Sequence, residues 1–190
     1  MSSITKNLKI IGIINTVFIA TSLMLDGYIF GKYPDLLSSP LYVASNILKT
    51  ISIICGFIYA ISGYKKNAAK YYKGFMLLQL LARIIEFVSD LYYTLSFDVY
   101  NNSYFTTVFK FIIVICIAIL AFAKDFGKEK SLIVVYLSFV CDALVLVRVL
   151  ITYSDIIADV ILAFTYLILS CITIIFVEAK YIDKESRGAK

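Results

Sequence analysis

The sequence predicts an all-α, polytopic transmembrane helical bundle of about six spans, arranged as three helical hairpins with both termini in the cytoplasm. Its composition is 61% hydrophobic and 16% charged, whereas a soluble domain averages about 45–50% apolar and about 25% charged residues. The mean hydropathy is +0.89. Apolar runs of about 20 residues, long enough to cross a bilayer as helices, recur along almost the whole chain.

The spans form a single integral-membrane domain over residues 1–190, at about 8–25, 41–63, 75–95, 104–123, 131–152 and 157–178. Pro40 suits the first turn of the second span, and Ser103 suits the N-cap of the fourth. The polar tail from Lys180 is expected to fray. The loops are short, so the sequence leaves no room for a soluble domain on either side of the membrane.

The basic residues orient the chain. Thirteen of the 18 Lys and Arg lie at the start of the first span, between spans two and three, between spans four and five, or after span six. The opposite loops hold only Lys32. The positive-inside rule therefore places both termini in the cytoplasm. Because orientation accounts for the basic excess, we expect no nucleic-acid partner.

The absence of histidine excludes Ser-His and Cys-His catalytic pairs and His-ligated zinc sites. Cys55, Cys116, Cys141 and Cys171 all fall inside spans and form no CxxC motif, so neither a redox motif nor a zinc knuckle is indicated. Small buried cysteines of this kind are usually packing residues. We therefore expect no metal site and no cofactor.

Ionisable residues inside the spans are the most informative feature. A charge at the centre of a transmembrane helix costs roughly 2.5–3.5 kcal/mol on insertion scales, so each needs a partner, a water-filled cavity or a function. Four are cations and three are anions: Lys49, Arg83, Lys110, Arg148, Glu86, Asp90 and Asp142. Most lie within about three turns of the outer face, with Asp142 deeper, which favours a polar cavity that opens outward.

The third span carries the longest polar stripe. Gln79, Arg83, Glu86 and Asp90 are spaced at i, i+4, i+7 and i+11, which places them on one helical face. One interpretation is structural: Arg83 and Glu86 form an intrahelical pair that eases insertion, and Arg148 extends toward the interface. The other is functional, because carboxylates on two helices facing one cavity suit acid–base chemistry or proton-coupled transport.

Around the two aspartates the sequence resembles the YhhN-type lysoplasmalogenases. Phe87-Val-Ser-Asp90-Leu-Tyr-Tyr resembles the family's motif of small residues followed by Asp, and Ser138-Phe-Val-Cys-Asp142-Ala-Leu-Val-Leu resembles its second motif. Thr165-Tyr166 resembles the opening of its final helix. The chain departs from the family pattern in its six predicted spans instead of about eight, in Lys49-Thr50 where a Lys-Pro pair is expected, and in the lack of histidine.

The resemblance implies a membrane-embedded hydrolase that cleaves the vinyl-ether bond of lysoplasmalogens in the cell membrane. Asp90 and Asp142 would be the catalytic carboxyls, without a distinction between acid and base. The substrate-binding residues would be Lys49, Lys110, Glu86, Arg148 and Tyr166. The partners would be a lysophospholipid substrate and the lipid bilayer, and the sequence leaves homo-oligomerisation open.

Two other functions fit the same residues. Six spans with short loops suit a small-molecule membrane transporter or the substrate-binding subunit of one, although Gly12, Ala20 and Ser22 are too sparse for the small-residue stripe that tight docking favours. A non-catalytic membrane scaffold or immunity protein would use the same charges only for structure.

The predicted orientation can be tested by cysteine labelling from outside the cell. A single cysteine at Asn101 should react with an impermeant maleimide, and one at Lys128 should not, because the two positions lie on opposite sides of the membrane. The reverse pattern would invert the orientation.

Overall fold

The computed structural model describes residues 40–96, 102–123, 126–152 and 157–188, with the isolated positions 10, 17, 20, 21 and 24. Over these ranges the protein is helical and contains no strand. The five helices are α1 (Pro40–Lys66), α2 (Ala68–Ser96), α3 (Asn102–Phe122), α4 (Lys128–Thr152) and α5 (Ile157–Gly188). The predicted first span and the glycine-rich segment after it fall almost entirely outside the described residues.

The helices extend the predicted spans rather than shifting them. α1 begins at Pro40 as expected, and α3 begins at Asn102, one residue before the predicted N-cap. The basic segment expected as a loop between spans two and three is mostly helical, since only Asn67 separates α1 from α2. The Asn67 carbonyl accepts hydrogen bonds from Lys70 N at 3.0 Å and Tyr71 N at 3.1 Å, which starts α2 immediately.

The polar tail is helical through Gly188 instead of frayed, because two of its side chains are anchored. The Tyr181 hydroxyl lies 2.9 Å from Ser131 Oγ on α4 and also donates to the Phe126 carbonyl. Asp183 Oδ2 accepts a hydrogen bond from Ala69 N at 3.1 Å. A carboxylate at that position satisfies an N–H at the start of α2 that has no partner within its own helix.

Consecutive helices pack against each other, and α5 also contacts α1 and α2. The backbones of α2 and α4 do not pack directly over the described residues. Large apolar side chains fill the main core, among them Phe75, Met76, Ile113, Leu169 and Phe176. Any direct link between α2 and α4 must therefore come from long side chains.

Three helical segments are long and apolar enough to cross a membrane: Tyr104–Phe122, Lys128–Thr152 and Val160–Ser186. Their outward faces expose aliphatic and aromatic side chains. Over the described ranges the protein is therefore helical and has the long apolar helices typical of a membrane protein. α2 has 29 residues and is therefore about 43 Å long, which exceeds the roughly 30 Å hydrocarbon core of a bilayer. It is not one of the three apolar segments, and it carries the ionisable residues Arg83, Glu86 and Asp90.

Close packing between α1 and α2 gives a test of the hairpin. A Cβ added at Gly74 would lie 2.6 Å from Tyr59 Cε1, whereas one at Gly56 would meet only Phe75, at 3.8 Å. Overpacking costs roughly 1–3 kcal/mol, more than the about 1 kcal/mol that alanine gains over glycine in a helix. We expect Gly74→Ala to lower the melting temperature in detergent and the matched control Gly56→Ala to leave it unchanged or raise it. Tyr59→Ala should relieve the effect of Gly74→Ala, and additive effects would contradict this contact.

Candidate functional site

Five charged side chains from three helices form one continuous series of ion pairs. We refer to Asp142, Arg83, Glu86, Lys110 and Asp90, in that order, as the ion-pair network. The shortest distances between successive members are 2.6 Å, 3.8 Å, 3.3 Å and 3.0 Å. α2 supplies three members, α3 supplies Lys110 and α4 supplies Asp142. Three residues of the stripe predicted on the third span, Arg83, Glu86 and Asp90, are therefore members of this network.

At the buried end, Arg83 and Asp142 form a two-pronged ion pair. Arg83 Nη1 donates to Asp142 Oδ1 at 2.8 Å, and Nη2 donates to Oδ2 at 2.6 Å. Ser170 of α5 donates its hydroxyl hydrogen to the same carboxylate. The Arg83 guanidinium also lies over the Tyr166 ring, 4.1 Å from its centroid. Bidentate charge-assisted hydrogen bonds of this kind fix geometry as well as charge.

At the other end, two carboxylates share one ammonium group. Lys110 Nζ lies 3.0 Å from Asp90 Oδ1 and 3.3 Å from Glu86 Oε1. Asp90 Oδ2 accepts a hydrogen bond from the Thr107 hydroxyl at 3.1 Å and lies 3.5 Å from the Thr106 hydroxyl. Glu86 and Asp90 are one helical turn apart on α2, so both reach the same lysine from α3.

Exposure rises steadily along the network. The side chains of Arg83 and Asp142 are each 3% exposed, followed by Glu86 at 11%, Lys110 at 16% and Asp90 at 26%. We call the Glu86–Lys110–Asp90 end the mouth of the network. A ligand or proton from outside the bundle can therefore meet the mouth before it meets Arg83 or Asp142.

Below the buried end, the interior becomes apolar. Gln79 donates to the Thr173 hydroxyl and lies 3.5 Å from the Leu169 carbonyl. One turn further, Phe176 packs edge-on against Phe75, with centroids 4.8 Å apart, and stacks with Tyr72 at 6.3 Å. Burial raises the pKa of the Tyr72 phenol, and the nearby Tyr181 raises it further. These aromatic rings separate the network from the end of the bundle where α2 begins.

Four buried polar atoms near the buried end of the network have no hydrogen-bond partner among the described residues. They are Arg83 Nε, Tyr166 Oη, Ser138 Oγ and Gln79 Oε1. Their side chains are each at most 3% exposed. Buried polar groups are normally satisfied by protein or ordered water, so this layer has spare hydrogen-bonding capacity next to the Arg83–Asp142 pair.

The structure brings together five of the seven predicted site residues. Asp90, Asp142, Glu86 and Lys110 are members of the network, and Tyr166 supports Arg83. Arg148 lies partly exposed on α4 and makes no ion pair with any described residue; its Nε is buried without a hydrogen-bond partner. Lys49 belongs to α1, and its side chain lies outside the described part of the chain.

Sequence reasoning did not assign a site role to Arg83, Ser170, Thr106 or Thr107. Arg83 was visible as part of the polar stripe, but the expected partner was Glu86, whose carboxylate is in fact the more distant one at 3.8 Å. The hydroxyl residues carried no signal, because single Ser and Thr residues are common in apolar helices. Over the described ranges, no group of three or more Cys, Asp and Glu residues is arranged to hold a metal ion.

The buried pair can be tested by stability measurements in detergent. We expect Asp142→Asn to destabilise the protein by roughly 3–5 kcal/mol, because it leaves the Arg83 guanidinium without its main counter-charge. Asp90→Asn should cost less, since Asp90 is partly exposed and Lys110 keeps Glu86. Adding Arg83→Met to Asp142→Asn should recover much of the lost stability. Equal effects of the two single substitutions would contradict this ranking.

No family model, no curated protein and no solved structure matches this chain. The lysoplasmalogenase resemblance therefore depends on the short motifs around Asp90, Asp142 and Tyr166 alone.

Proposed function

We propose that this chain is a multi-pass protein of the cell membrane, with six spans and cytoplasmic termini, that hydrolyses the vinyl-ether bond of lysoplasmalogens by carboxyl acid–base chemistry. The three apolar helices and the one-sided distribution of Lys and Arg support the membrane assignment. The lysophospholipid would enter from the bilayer and present its linkage to the mouth of the network.

The observation that carries this proposal is the pair of carboxyls at the mouth. Glu86 and Asp90 both contact the single ammonium of Lys110. The two carboxyls lie one helical turn apart and meet at this ammonium, so one can act as the acid while the other acts as the base. That combination provides a proton donor and a base at the same place, which is what general acid–base catalysis requires.

The proposed reaction uses both groups in turn. The carboxyl that acts as the acid protonates the β carbon of the vinyl ether, which forms an oxocarbenium ion stabilised by the adjacent carboxylate. Water adds to the cation and gives up a proton to a carboxylate, forming a hemiacetal. The hemiacetal then collapses to an aldehyde and the glycerophospho alcohol, so no proton is consumed overall and no oxidant is needed.

This assignment keeps Asp90 in the catalytic pair and gives the second role to Glu86 instead of Asp142. Both oxygens of Asp142 are engaged by Arg83, which suits a carboxylate that positions Arg83. Lys110 lies between two carboxyls, so it is better placed to stabilise their negative charge than to bind a phosphate. Arg148, which pairs with no described residue, is the cation we propose for the lipid phosphate.

A second candidate is proton-linked transport of a small molecule. It is favoured by the series of ion pairs in the network, which connects the partly exposed Asp90 to the buried Asp142. Chains of ionisable residues inside membrane bundles commonly serve as proton relays. In a scaffold or immunity protein, these charged residues would only have to neutralise one another.

Hydrolysis is tested by measuring aldehyde release from a lysoplasmalogen by the purified protein in nanodiscs. We expect turnover in the unmodified protein and at least a 100-fold loss in Glu86→Gln and in Asp90→Asn, because general acid–base groups contribute about 10²–10⁴-fold. Glu178→Gln, a matched change on α5 outside the network, should retain turnover.

Each alternative outcome has a clear meaning. Full turnover by a folded protein carrying both Glu86→Gln and Asp90→Asn would end the catalytic assignment. Absence of aldehyde release from the unmodified protein would end the hydrolase proposal. Substrate-dependent proton movement across proteoliposomes, without aldehyde, would favour the transporter.

A further inference from the structure

We propose that the end of the bundle opposite the mouth binds the headgroup of an anionic phospholipid, and that Lys70, Lys180 and Lys184 form the binding site. We refer to these three residues as the lysine site. The proposal rests on the membrane location given in the proposed function, but it does not depend on hydrolysis.

An aromatic ring holds Lys180 at this end of the bundle. Lys180 Nζ lies 3.6 Å from the centroid of the Tyr72 ring on α2 and 4.9 Å from the centroid of the Tyr181 ring. A cation is attracted to the face of an aromatic ring at such distances, and Tyr72 is itself buried. Because Lys180 is partly exposed, its side chain is held in place and can still be reached from outside the bundle.

A hydrogen bond between α2 and α5 brings two further lysines to the same place. Asp183 Oδ2 accepts a hydrogen bond from Ala69 N at 3.1 Å. Lys184 and Lys70 directly follow these two residues in the chain, and both are exposed. Lys184 also lies one helical turn beyond Lys180, on the same face of α5. The three lysines therefore surround one contact between the two helices.

The positive charge of the lysine site is not balanced within the described part of the chain. None of the three lysines makes an ion pair with a described residue. Like charges one helical turn apart destabilise a helix, so Lys180 and Lys184 are unfavourable neighbours unless an anion lies near both. α1 also ends here, in Lys65-Lys66, which adds to the positive charge. The site therefore favours an anionic ligand.

The height of the lysine site along α5 indicates that this anion is a lipid headgroup. The apolar segment of α5 begins at Val160, and Lys180 follows 20 residues later, about 30 Å along the helix. This distance matches the roughly 30 Å hydrocarbon core of a bilayer, so Lys180 lies where the headgroups of one leaflet begin. Ile182, between Lys180 and Lys184 in sequence, is 49% exposed. Exposed apolar and cationic side chains side by side are expected at the boundary between acyl chains and headgroups.

The lysine site is separate from the proposed site of hydrolysis. The rings of Phe75 and Phe176, whose centroids are 4.8 Å apart, lie between it and the ion-pair network. A lipid bound to the lysine site would therefore not meet Glu86 or Asp90. It would contact α2 and α5 together, so its binding should stabilise the folded bundle.

Thermal unfolding of the purified protein in detergent, with one lipid added at a time, tests this proposal. The probes are a phosphatidylglycerol and a phosphatidylcholine with the same acyl chains, because these lipids differ in net charge. We expect a higher melting temperature with phosphatidylglycerol than with phosphatidylcholine. High salt should reduce this difference, because salt screens exposed charges, and inorganic phosphate at equal ionic strength should not reproduce it.

Substitutions locate the site. Lys180→Gln together with Lys184→Gln should weaken phosphatidylglycerol binding about 25-fold, since each lysine near an anionic surface contributes about fivefold in affinity. The melting-temperature difference should then largely disappear. The matched control, Lys128→Gln together with Lys130→Gln, removes the same charge from the start of α4 and should keep the difference. Lys180→Arg should also keep it, because a guanidinium is cationic and stacks on an aromatic ring.

Each variant is compared with its own melting temperature in phosphatidylcholine, so that a change in intrinsic stability does not enter the comparison. Equal melting temperatures of the unmodified protein with the two lipids would overturn the proposal. An equal loss in the α4 control would do so as well, since it would indicate general attraction to basic residues, and so would a full effect of inorganic phosphate alone. A protein that phosphatidylglycerol stabilises as expected but that releases no aldehyde would fail only as a hydrolase.

Discussion

The ion pair between Arg83 and Asp142 is the contact on which the arrangement of the bundle depends. α2 and α4 have no direct backbone packing over the described residues, and the Arg83 side chain reaches across the interior to connect them at 2.6 Å. Ser170 and Tyr166 add α5 to the same contact. Because both charges are almost fully buried, each is tolerable only while the other is present.

The same constraint shapes the rest of the network. With Asp142 saturated by Arg83, the remaining carboxyls of α2 must use Lys110 of α3, and one lysine faces two of them. The bundle thus combines a saturated, buried pair with an unsaturated, accessible group of three. The buried pair suits a structural role that holds helices in position. The three residues of the mouth are accessible to a ligand, which is why we place the proposed chemistry there.

Apolar packing isolates the network from one end of the molecule. Phe75, Phe176 and Tyr72 fill the interior below Gln79, and the anchored end of α5 contacts the start of α2 through Asp183. Water that reached both ends would screen the ion pairs and dissipate any directed proton transfer. A closed end therefore fits hydrolysis at the mouth.

The sequence alone predicted the helical class, the positions of the described helices and the polar stripe of α2, because these follow from local apolar periodicity and from the cost of charges in apolar surroundings. It did not determine that Arg83 pairs with Asp142 rather than mainly with Glu86, or that Lys110 serves two carboxyls. It also missed the helical tail, whose anchors Tyr181 and Asp183 act on α4 and α2. These features depend on which helix faces pack against each other and at which positions along the helices, and only the tertiary structure decides that.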